Sequence, residues 1–174
     1  MSPPVDAVAR SFAPLLRDDA RLLLLGSMPG RASLLAQQYY AHPRNAFWPI
    51  LAAHCGIDPA SSYADRIAAL LDAGIALWDV LAECRRRGSL DSDIEITQAR
   101  ANSIGELLDA HPRIRRVCCN GAAAANLYRR FGLPGPPRIE LIRLPSTSPA
   151  YAGMALAEKT RRWHQALRWH EALH

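Results

Sequence analysis

Residues 22–51 read LLLLGSMPGRASLLAQQYYAHPRNAFWPIL. The four leucines predict a buried strand, because a short apolar run that ends at a turn is typical of a strand covered on both faces. Residues 26–30, GSMPG, end this run, and the glycines at both ends let the backbone turn sharply and approach a ligand. Ring-bearing and polar side chains follow at once, so the stretch joins a core strand to a candidate binding loop.

The same alternation of short apolar runs and helical patterns continues along the chain. The apolar runs predict strands at residues 21–25, 74–78, 115–119 and 139–144, and helix-like spacing predicts helices at 46–55, 63–71, 104–110, 122–131 and 158–170. Strand–helix alternation is typical of a mostly parallel sheet covered on both faces. We therefore predict an α/β fold: residues 1–174 form a single three-layer α/β/α domain with a central, mostly parallel four-stranded sheet. Residues 132–138, GLPGPPR, are predicted to be a rigid loop.

Composition limits the class of protein. The chain has 174 residues, of which 49% are hydrophobic, and this favours one globular domain. The apolar runs are too short for a membrane span and the N-terminus lacks a signal-peptide pattern, so we expect a soluble cytoplasmic protein. The four cysteines, Cys55, Cys84, Cys118 and Cys119, fit no metal-binding spacing. We expect buried, reduced thiols and no metal.

Positive charge favours a polyanionic partner. The net charge is +5 and the sequence pI about 9.4. Basic residues cluster at 85–87, 113–116, 129–130 and 159–162. Each cluster taken alone is more typical of a solvated surface than of a contact site, but together they make nucleic acid the partner to test.

Four loops follow the predicted strands, with the sequences GSMPG, DVLAECRRRGS, NGAAAAN and PSTSPAY. Ligands of parallel α/β sheets bind outside the carboxyl ends of the strands, so these loops should meet at one site. Asn120 and Gly121 precede a helix whose N-terminus suits a phosphate, or they form a plain connection. The hydroxyl groups of Ser146, Thr147 and Ser148 suit a phosphate, or they cap the next helix.

Residues 37–48, QQYYAHPRNAFW, carry the richest set of side chains. Phe47 and Trp48 are predicted to be core, whereas Tyr39 and Tyr40 lie in a loop from which an aromatic ring can stack on a flat ligand. The amide of Asn45 can hold a water or a base edge, or it caps the following helix. Asp79, at a strand end, can accept a hydrogen bond from a base, or it caps the next turn.

Several site types are not indicated. The GSMPG loop lacks the lysine of a P-loop and is not GxGxxG, which argues against a nucleotide cofactor. GxSxG is absent after a strand, which argues against a serine hydrolase.

The order of these motifs resembles the uracil-DNA glycosylase superfamily over most of the chain. GSMPG is similar to the first motif of that family, YYAHPRNAFWPIL to the segment that follows in its mismatch-specific branch, and LPSTSPAYAG to its second motif. Together with LWDVL and GSLDSDI, these stretches most closely resemble the hypoxanthine-DNA glycosylase branch, the DNA-deoxyinosine glycosylases. Two positions depart from the family pattern: Met28 replaces a polar residue of the first motif, and Leu144 replaces the His or Asn that often begins the second.

The resemblance implies an enzyme that flips a damaged nucleotide out of DNA and hydrolyses its N-glycosidic bond without a cofactor. It implies that Asn45 is catalytic, with Ser27 as a helper. It also implies base contacts and DNA contacts. The base contacts are Gly26, Met28, Pro29, Tyr40 and Asp79. The DNA contacts are Gly30, Asn120, Gly121, Ser146, Thr147, Ser148 and Tyr151, with Tyr151 as the candidate wedge in the duplex.

The expected protein is a monomeric, monofunctional glycosylase for deoxyinosine in base-excision repair. It is expected to be monofunctional because the candidate loops hold no lysine for a Schiff base; Lys159 lies in the later helix. Three alternatives stay open: excision of uracil from G·U mismatches, a non-catalytic DNA-binding module of the same fold, and hydrolysis of free nucleosides.

Overall fold

A computed structural model of the chain describes residues 8–131 and 137–168. The central sheet contains β2 (Leu22–Gly26), β3 (Ile75–Asp79), β6 (Arg116–Asn120) and β7 (Glu140–Leu144). All neighbouring pairs are parallel and the order is β3-β2-β6-β7. The predicted four-stranded parallel sheet is confirmed, with strand ends shifted by one residue from the predicted ranges.

Within residues 8–131 and 137–168, six α-helices accompany these strands. They are α1 (Arg31–Ala36), α2 (Phe47–Cys55), α3 (Tyr63–Asp72), α4 (Ile104–Ala110), α5 (Gly121–Arg130) and α6 (Leu156–Leu167). The sequence predicted five of them to within two residues at most ends, and it missed α1. The predicted end of the last helix at residue 170, and most of the predicted loop 132–138, lie outside the described residues.

Alternating side chains of the strands build two cores. Leu23 and Leu25 of β2 pack on one face with α4 and α5, and Leu22 and Leu24 pack on the other with α2, α3 and α6. This is the predicted three-layer arrangement. It follows from the strand period of two, which sends successive leucines to opposite faces.

A second, antiparallel sheet was not predicted. It contains β1 (Val8–Arg10), β4 (Leu81–Arg85) and β5 (Arg100–Ala101) in the order β1-β4-β5. Residues 79–89 were predicted to be a loop after β3, and that prediction is wrong over β4. The reason is that β4 follows β3 after a single residue and has no strand period: only Leu81 and Cys84 are buried, with two partly exposed residues between them.

The thiols and the aromatic residues mostly follow the prediction. Cys84, Cys118 and Cys119 are buried and unbridged, but Cys55 is only half-buried. Phe47 and Trp48 are core residues, as predicted, with 0% and 5% exposure. Within the described ranges, the helices are all too short or too polar to cross a bilayer.

Asn102 holds the two sheets together. Its Nδ2 donates to the backbone oxygens of Asp79 (2.8 Å) and Leu81 (3.1 Å), which lie on either side of the passage from β3 to β4. The side chain is only partly exposed, so its loss would leave two carbonyls without this donor.

Asn102→Ala is therefore expected to lower the free energy of unfolding by about 1–3 kcal/mol. Urea denaturation of both proteins measures it. Asn126→Ala, at an exposed position of α5, is the matched control and should change stability by less than about 0.5 kcal/mol. Equal effects of the two substitutions would contradict the assignment of Asn102 as a link between the sheets.

Candidate active site

The carboxyl ends of the four parallel strands open into one cleft of about 1390 Å³. The chain runs from β2 to β3 on one side and later crosses to β6 on the other, so loops diverge at the carboxyl end of β2. Such a switch point is where open α/β sheets bind ligands. All the residues predicted from the sequence border this cleft: Gly26, Ser27, Met28, Pro29, Gly30, Tyr40, Asn45, Asp79, Asn120, Gly121, Ser146, Thr147, Ser148 and Tyr151.

Gly26 lies where two polar side chains converge. A Cβ at this position would overlap the Asp79 carboxylate Oδ1 and would lie 2.7 Å from the Tyr40 hydroxyl. Gly26 also pairs with Asp79 in the register of β2 and β3. The glycine is therefore required by close approach of side chains, in addition to the turn that follows it.

The other residues of the first loop have different surroundings. The Ser27 hydroxyl donates to Asp91, and the Pro29 carbonyl accepts from Arg86. Met28 is 6% exposed and packs in the core on the α4–α5 side, so little of its side chain faces the cleft. The Gly30 carbonyl accepts from Leu34 as α1 begins. This loop thus presents mostly backbone to a ligand.

Tyr40 is placed by an unusual backbone conformation. Its φ is +54°, in the left-handed region, and its ring stacks on Phe47 with centroids 3.9 Å apart and planes 16° from parallel. Its hydroxyl is buried without a hydrogen-bond partner among the described residues. Tyr39 lies in the same turn, as predicted, but it is 3% exposed and its hydroxyl donates to the Ala13 carbonyl, so its ring is held in the core.

Asp79 is a buried carboxylic acid at the end of β3. It is 3% exposed, and its Oδ2 has no hydrogen-bond partner in the part of the chain that is described. Burial, with a smaller contribution from the negative charge of Asp91, raises its pKa to about 7, although the positive charge of Arg86 opposes the rise. At neutral pH this group is therefore partly protonated and able both to donate and to accept.

Asn45 is fixed by the start of α2. Its Oδ1 accepts from the Phe47 backbone N–H at 3.0 Å, which closes a turn before the helix. The N-cap residue is Ala46, so the prediction of Asn45 as N-cap of a helix that begins at Ala46 is displaced by one residue. Among the described residues no hydrogen bond engages its Nδ2, and the residue borders the cleft. The side chain is thus oriented by one atom while the other stays free to contact a ligand or water.

Asn120 and Thr147 bind each other reciprocally. The Asn120 amide donates to Thr147 Oγ1 at 2.9 Å and accepts from the Thr147 backbone N–H at 3.0 Å. The Thr147 carbonyl accepts from Ala46 at 3.0 Å, immediately before α2. These bonds tie the last loop to both β6 and the Asn45 segment. The Asn120 amide is therefore occupied internally, and its predicted contact with DNA stays a prediction.

The serines of the last loop do not cap α6. The Ser146 hydroxyl accepts from the Ser148 N–H at 3.1 Å, and the Ser148 hydroxyl accepts from Ala150 at 3.2 Å, so both close turns within the loop. Gly121, with φ +90°, packs against Ser146, whose Cβ would lie 2.9 Å from a Cβ at that glycine. Tyr151 is 41% exposed at the rim. The capping alternative is wrong, because α6 begins only at Leu156.

A family model described as the uracil DNA glycosylase superfamily matches residues 13–172. The chain belongs to this superfamily.

Relatives agree with this assignment. A hypoxanthine DNA glycosylase of Methanosarcina acetivorans is 33% identical over 147 residues, which cover 82% of this chain and 88% of the relative. Another, from Methanosarcina barkeri, is 36% identical over 113 residues, or 64% and 70% of the two chains. The solution NMR structure of a Methanosarcina acetivorans protein, provisionally classed as a uracil DNA glycosylase, aligns with a TM-score of 0.76 at 30% identity, covering 95% of this chain and 99% of that one. The predicted family and fold are confirmed, and the protein is a DNA N-glycosylase with DNA as its substrate.

The positive charge of this glycosylase meets the cleft mainly outside the predicted clusters. Arg31, Arg44 and Arg143 are exposed and border the cleft. By contrast, Arg116 is buried and pairs with Glu140 at 3.0 Å, and Arg162 pairs with Glu158 at 2.9 Å. The basic clusters in the sequence therefore did not predict which arginines give the cleft its positive charge.

Sequence reasoning missed three residues that cover the first loop. Asp91 accepts from Ser27, Arg86 donates to Pro29, and the Ser89 hydroxyl accepts from the Arg31 N–H at 3.0 Å. All three follow β4, in the segment that contains GSLDSDI. That motif contributed to the family resemblance, but its contact with GSMPG depends on the second sheet, which no local pattern indicated.

Gly26→Ala is expected to reduce base-release activity by ~10²-fold, because the added methyl displaces Asp79 and Tyr40 from the cleft. A single-turnover assay on lesion-containing DNA measures this change. Gly105→Ala is the matched control, since a Cβ there meets nothing within 4 Å, and it should retain activity. Full activity in Gly26→Ala would show that the convergence of the two side chains is dispensable.

Asp79 should make the stability of this glycosylase fall as pH rises. Its pKa is about 7 in the folded chain against an ordinary value of 3.8, so the folded state binds more protons between these values and loses stability as pH increases through them. Asp79→Asn removes this dependence. Relative to wild type it should gain roughly 2 kcal/mol in free energy of unfolding between pH 5 and pH 8. Urea denaturation at both pH values measures it, and parallel behaviour of the two proteins would contradict a neutral, buried Asp79.

Proposed function

We propose that the protein is a monofunctional DNA glycosylase that excises hypoxanthine from deoxyinosine sites in base-excision repair. One observation carries the proposal: the Asp79 carboxyl converges with Tyr40 beside Gly26 in a DNA-binding cleft, and its buried Oδ2 has no hydrogen-bond partner among the described residues. A buried polar atom is costly without a partner, so Asp79 favours a polar ligand edge. The two hypoxanthine DNA glycosylases among the relatives support the choice of base.

The chemistry of Asp79 suits a base that carries an oxo group beside a ring N–H. A protonated carboxyl can donate to the oxo group and accept from the N–H, which gives two hydrogen bonds in one plane. Hypoxanthine has this edge. Adenine can take two bonds from the same carboxyl with the roles exchanged, so the preference for hypoxanthine rests on its better leaving-group ability. The raised pKa of Asp79 supports this pairing, because an ionised carboxylate only accepts.

Asn45 is proposed to act on the sugar side of the flipped nucleotide. Cleavage passes through an oxocarbenium-like sugar while negative charge builds on the leaving base. Asn45, held by its bond to Phe47, orients a water that attacks C1′ as the C1′–N9 electrons leave with the base. The water loses a proton to solvent and the base anion takes one up, so neutral hypoxanthine is released. Backbone N–H groups of the first loop stabilise the base anion, and the oxo group of hypoxanthine spreads its charge.

Tyr40 is proposed to stack on the extruded base. One face of its ring already rests on Phe47, which fixes the plane of the ring in the cleft. A rigid aromatic plane binds a flat base at low cost in conformational entropy. Met28 replaces a polar residue of the family's first motif and is almost fully buried, so water activation is left to Asn45.

Base release decides the proposal. Duplexes with a single deoxyinosine, uracil or xanthine are incubated with the protein, and alkali then breaks the abasic sites. Cleavage at inosine is expected. Cleavage at uracil alone would move the substrate to uracil, which has the same oxo and N–H edge, and binding without cleavage would indicate a non-catalytic module.

Asn45→Ala is expected to lower the rate of base release by ~10²-fold or more, because one preorganised contact is lost. Asn45→Ser separates catalysis from capping, since a serine hydroxyl can still accept from the Phe47 N–H. Both variants should be inactive, with single-turnover rates as the measurement, while only Asn45→Ala should lose stability, by ~1 kcal/mol. An active Asn45→Ser would show that Asn45 only accepts the hydrogen bond from the Phe47 N–H and has no catalytic role.

A further inference from the structure

A second cavity of about 330 Å³ adjoins the active-site cleft. It lies between residues 43–49 and the last loop, and Asn45, Thr147 and Ser148 border both spaces. A DNA strand that presents its target nucleotide to Asn45 continues on either side through its phosphodiester groups. The cavity therefore lies within reach of a phosphodiester group next to the target nucleotide.

Lys159 lies at this cavity and is an unusual residue in this chain. It is the only lysine among 21 lysine and arginine residues. It is 6% exposed, although lysine is almost never buried without a charged partner. Its neighbour Glu158 binds Arg161 and Arg162 instead, at 2.8 and 2.9 Å. The other 20 of these residues are arginines, so the buried cation is the one with the compact ammonium group.

The contacts of the Lys159 ammonium leave donor capacity. Its Nζ donates to the Tyr151 carbonyl at 2.6 Å and lies 4.8 Å from the centre of the Tyr151 ring. An ammonium has three N–H donors, and one carbonyl plus a ring face do not neutralise its charge. Partial burial lowers its pKa, which a bound anion would reverse.

The rest of the cavity is suited to an anion. Arg44 is exposed and also borders it, and no acidic side chain of the described residues does so. Ser148 adds a hydroxyl. Two cations, a hydroxyl and no carboxylate form a site of positive potential that is open to the cleft.

We infer that this cavity binds a phosphodiester group of the DNA strand next to the target nucleotide, with Lys159 and Arg44 as its cationic ligands. The inference rests on the proposed function, since it assumes that the strand carries its nucleotide to Asn45. Phosphate binding there orders Tyr151, whose carbonyl and ring Lys159 already contacts. The contact between Lys159 and the phosphate therefore neutralises a charge of the DNA strand and also positions the exposed Tyr151 ring at the duplex.

The test measures binding to a duplex with a tetrahydrofuran abasic analogue, which needs no catalysis. The affinity of wild type, Lys159→Met, Lys159→Arg and Arg44→Met for this duplex is measured at salt concentrations from about 50 to about 200 mM. Each loss of a cationic ligand should reduce the slope of log affinity against log salt by about 1, and Lys159→Arg should restore it. Arg113→Met is the matched control, because Arg113 is exposed and borders neither cavity, and its slope should equal that of wild type.

Single methylphosphonate substitutions identify the phosphate. Placed in turn at each phosphate flanking the analogue, the neutral group should weaken wild-type binding about 10-fold at one position and have little effect there in Lys159→Met. Arg44→Met keeps the test decisive if Lys159→Met is unstable, since Arg44 is exposed. Equal methylphosphonate effects in wild type and both variants would overturn the inference, as would unchanged salt slopes. Inactivity on inosine with these binding results intact would refute only the proposed substrate.

Discussion

The absence of a side chain at Gly26 is the constraint on which the rest of the site depends. Asp79 and Tyr40 reach the same point from strand β3 and from the loop before α2, and a methyl group there would exclude both. The parallel register of β2 and β3 brings Gly26 opposite Asp79. The floor of the cleft is thus built by three separate segments of the chain. They can come this close because Gly26 has no Cβ.

Several features of this floor are unfavourable for the folded protein by themselves. Burial disfavours the ionised form of Asp79, the Tyr40 hydroxyl has no hydrogen-bond partner in the part of the chain that the structure describes, and Tyr40 adopts a left-handed backbone conformation. Such departures from local preference concentrate at functional sites, where a ligand supplies the missing partners. The packing around them is correspondingly firm: Phe47 is fully buried under the Tyr40 ring, and Trp163 meets Phe47 edge-on at 6.0 Å.

The last loop owes its shape to bonds made from outside it. Asn120 binds Thr147 from β6, Ala46 binds it from the start of α2, and Lys159 binds Tyr151 from α6. Three elements thereby set the positions of loop residues that border both the cleft and the second cavity. A loop held in this way presents its backbone and hydroxyl groups to DNA without first having to be ordered, which reduces the entropic cost of binding.

The sequence by itself determined the α/β class, the four parallel strands and the site edge, because apolar runs and helical spacing are local patterns and parallel strands bring their carboxyl ends together. It also placed Asn45, Asp79 and Tyr40 at that edge. Only the tertiary structure decided that Asp91 binds Ser27, 64 residues away, that β4 belongs to a second sheet, and that Lys159 turns inward beside Asn45. These contacts join segments that are far apart in the sequence and whose local patterns are independent of each other. Tertiary packing selects such contacts, and the periodicity of one segment carries no information about them.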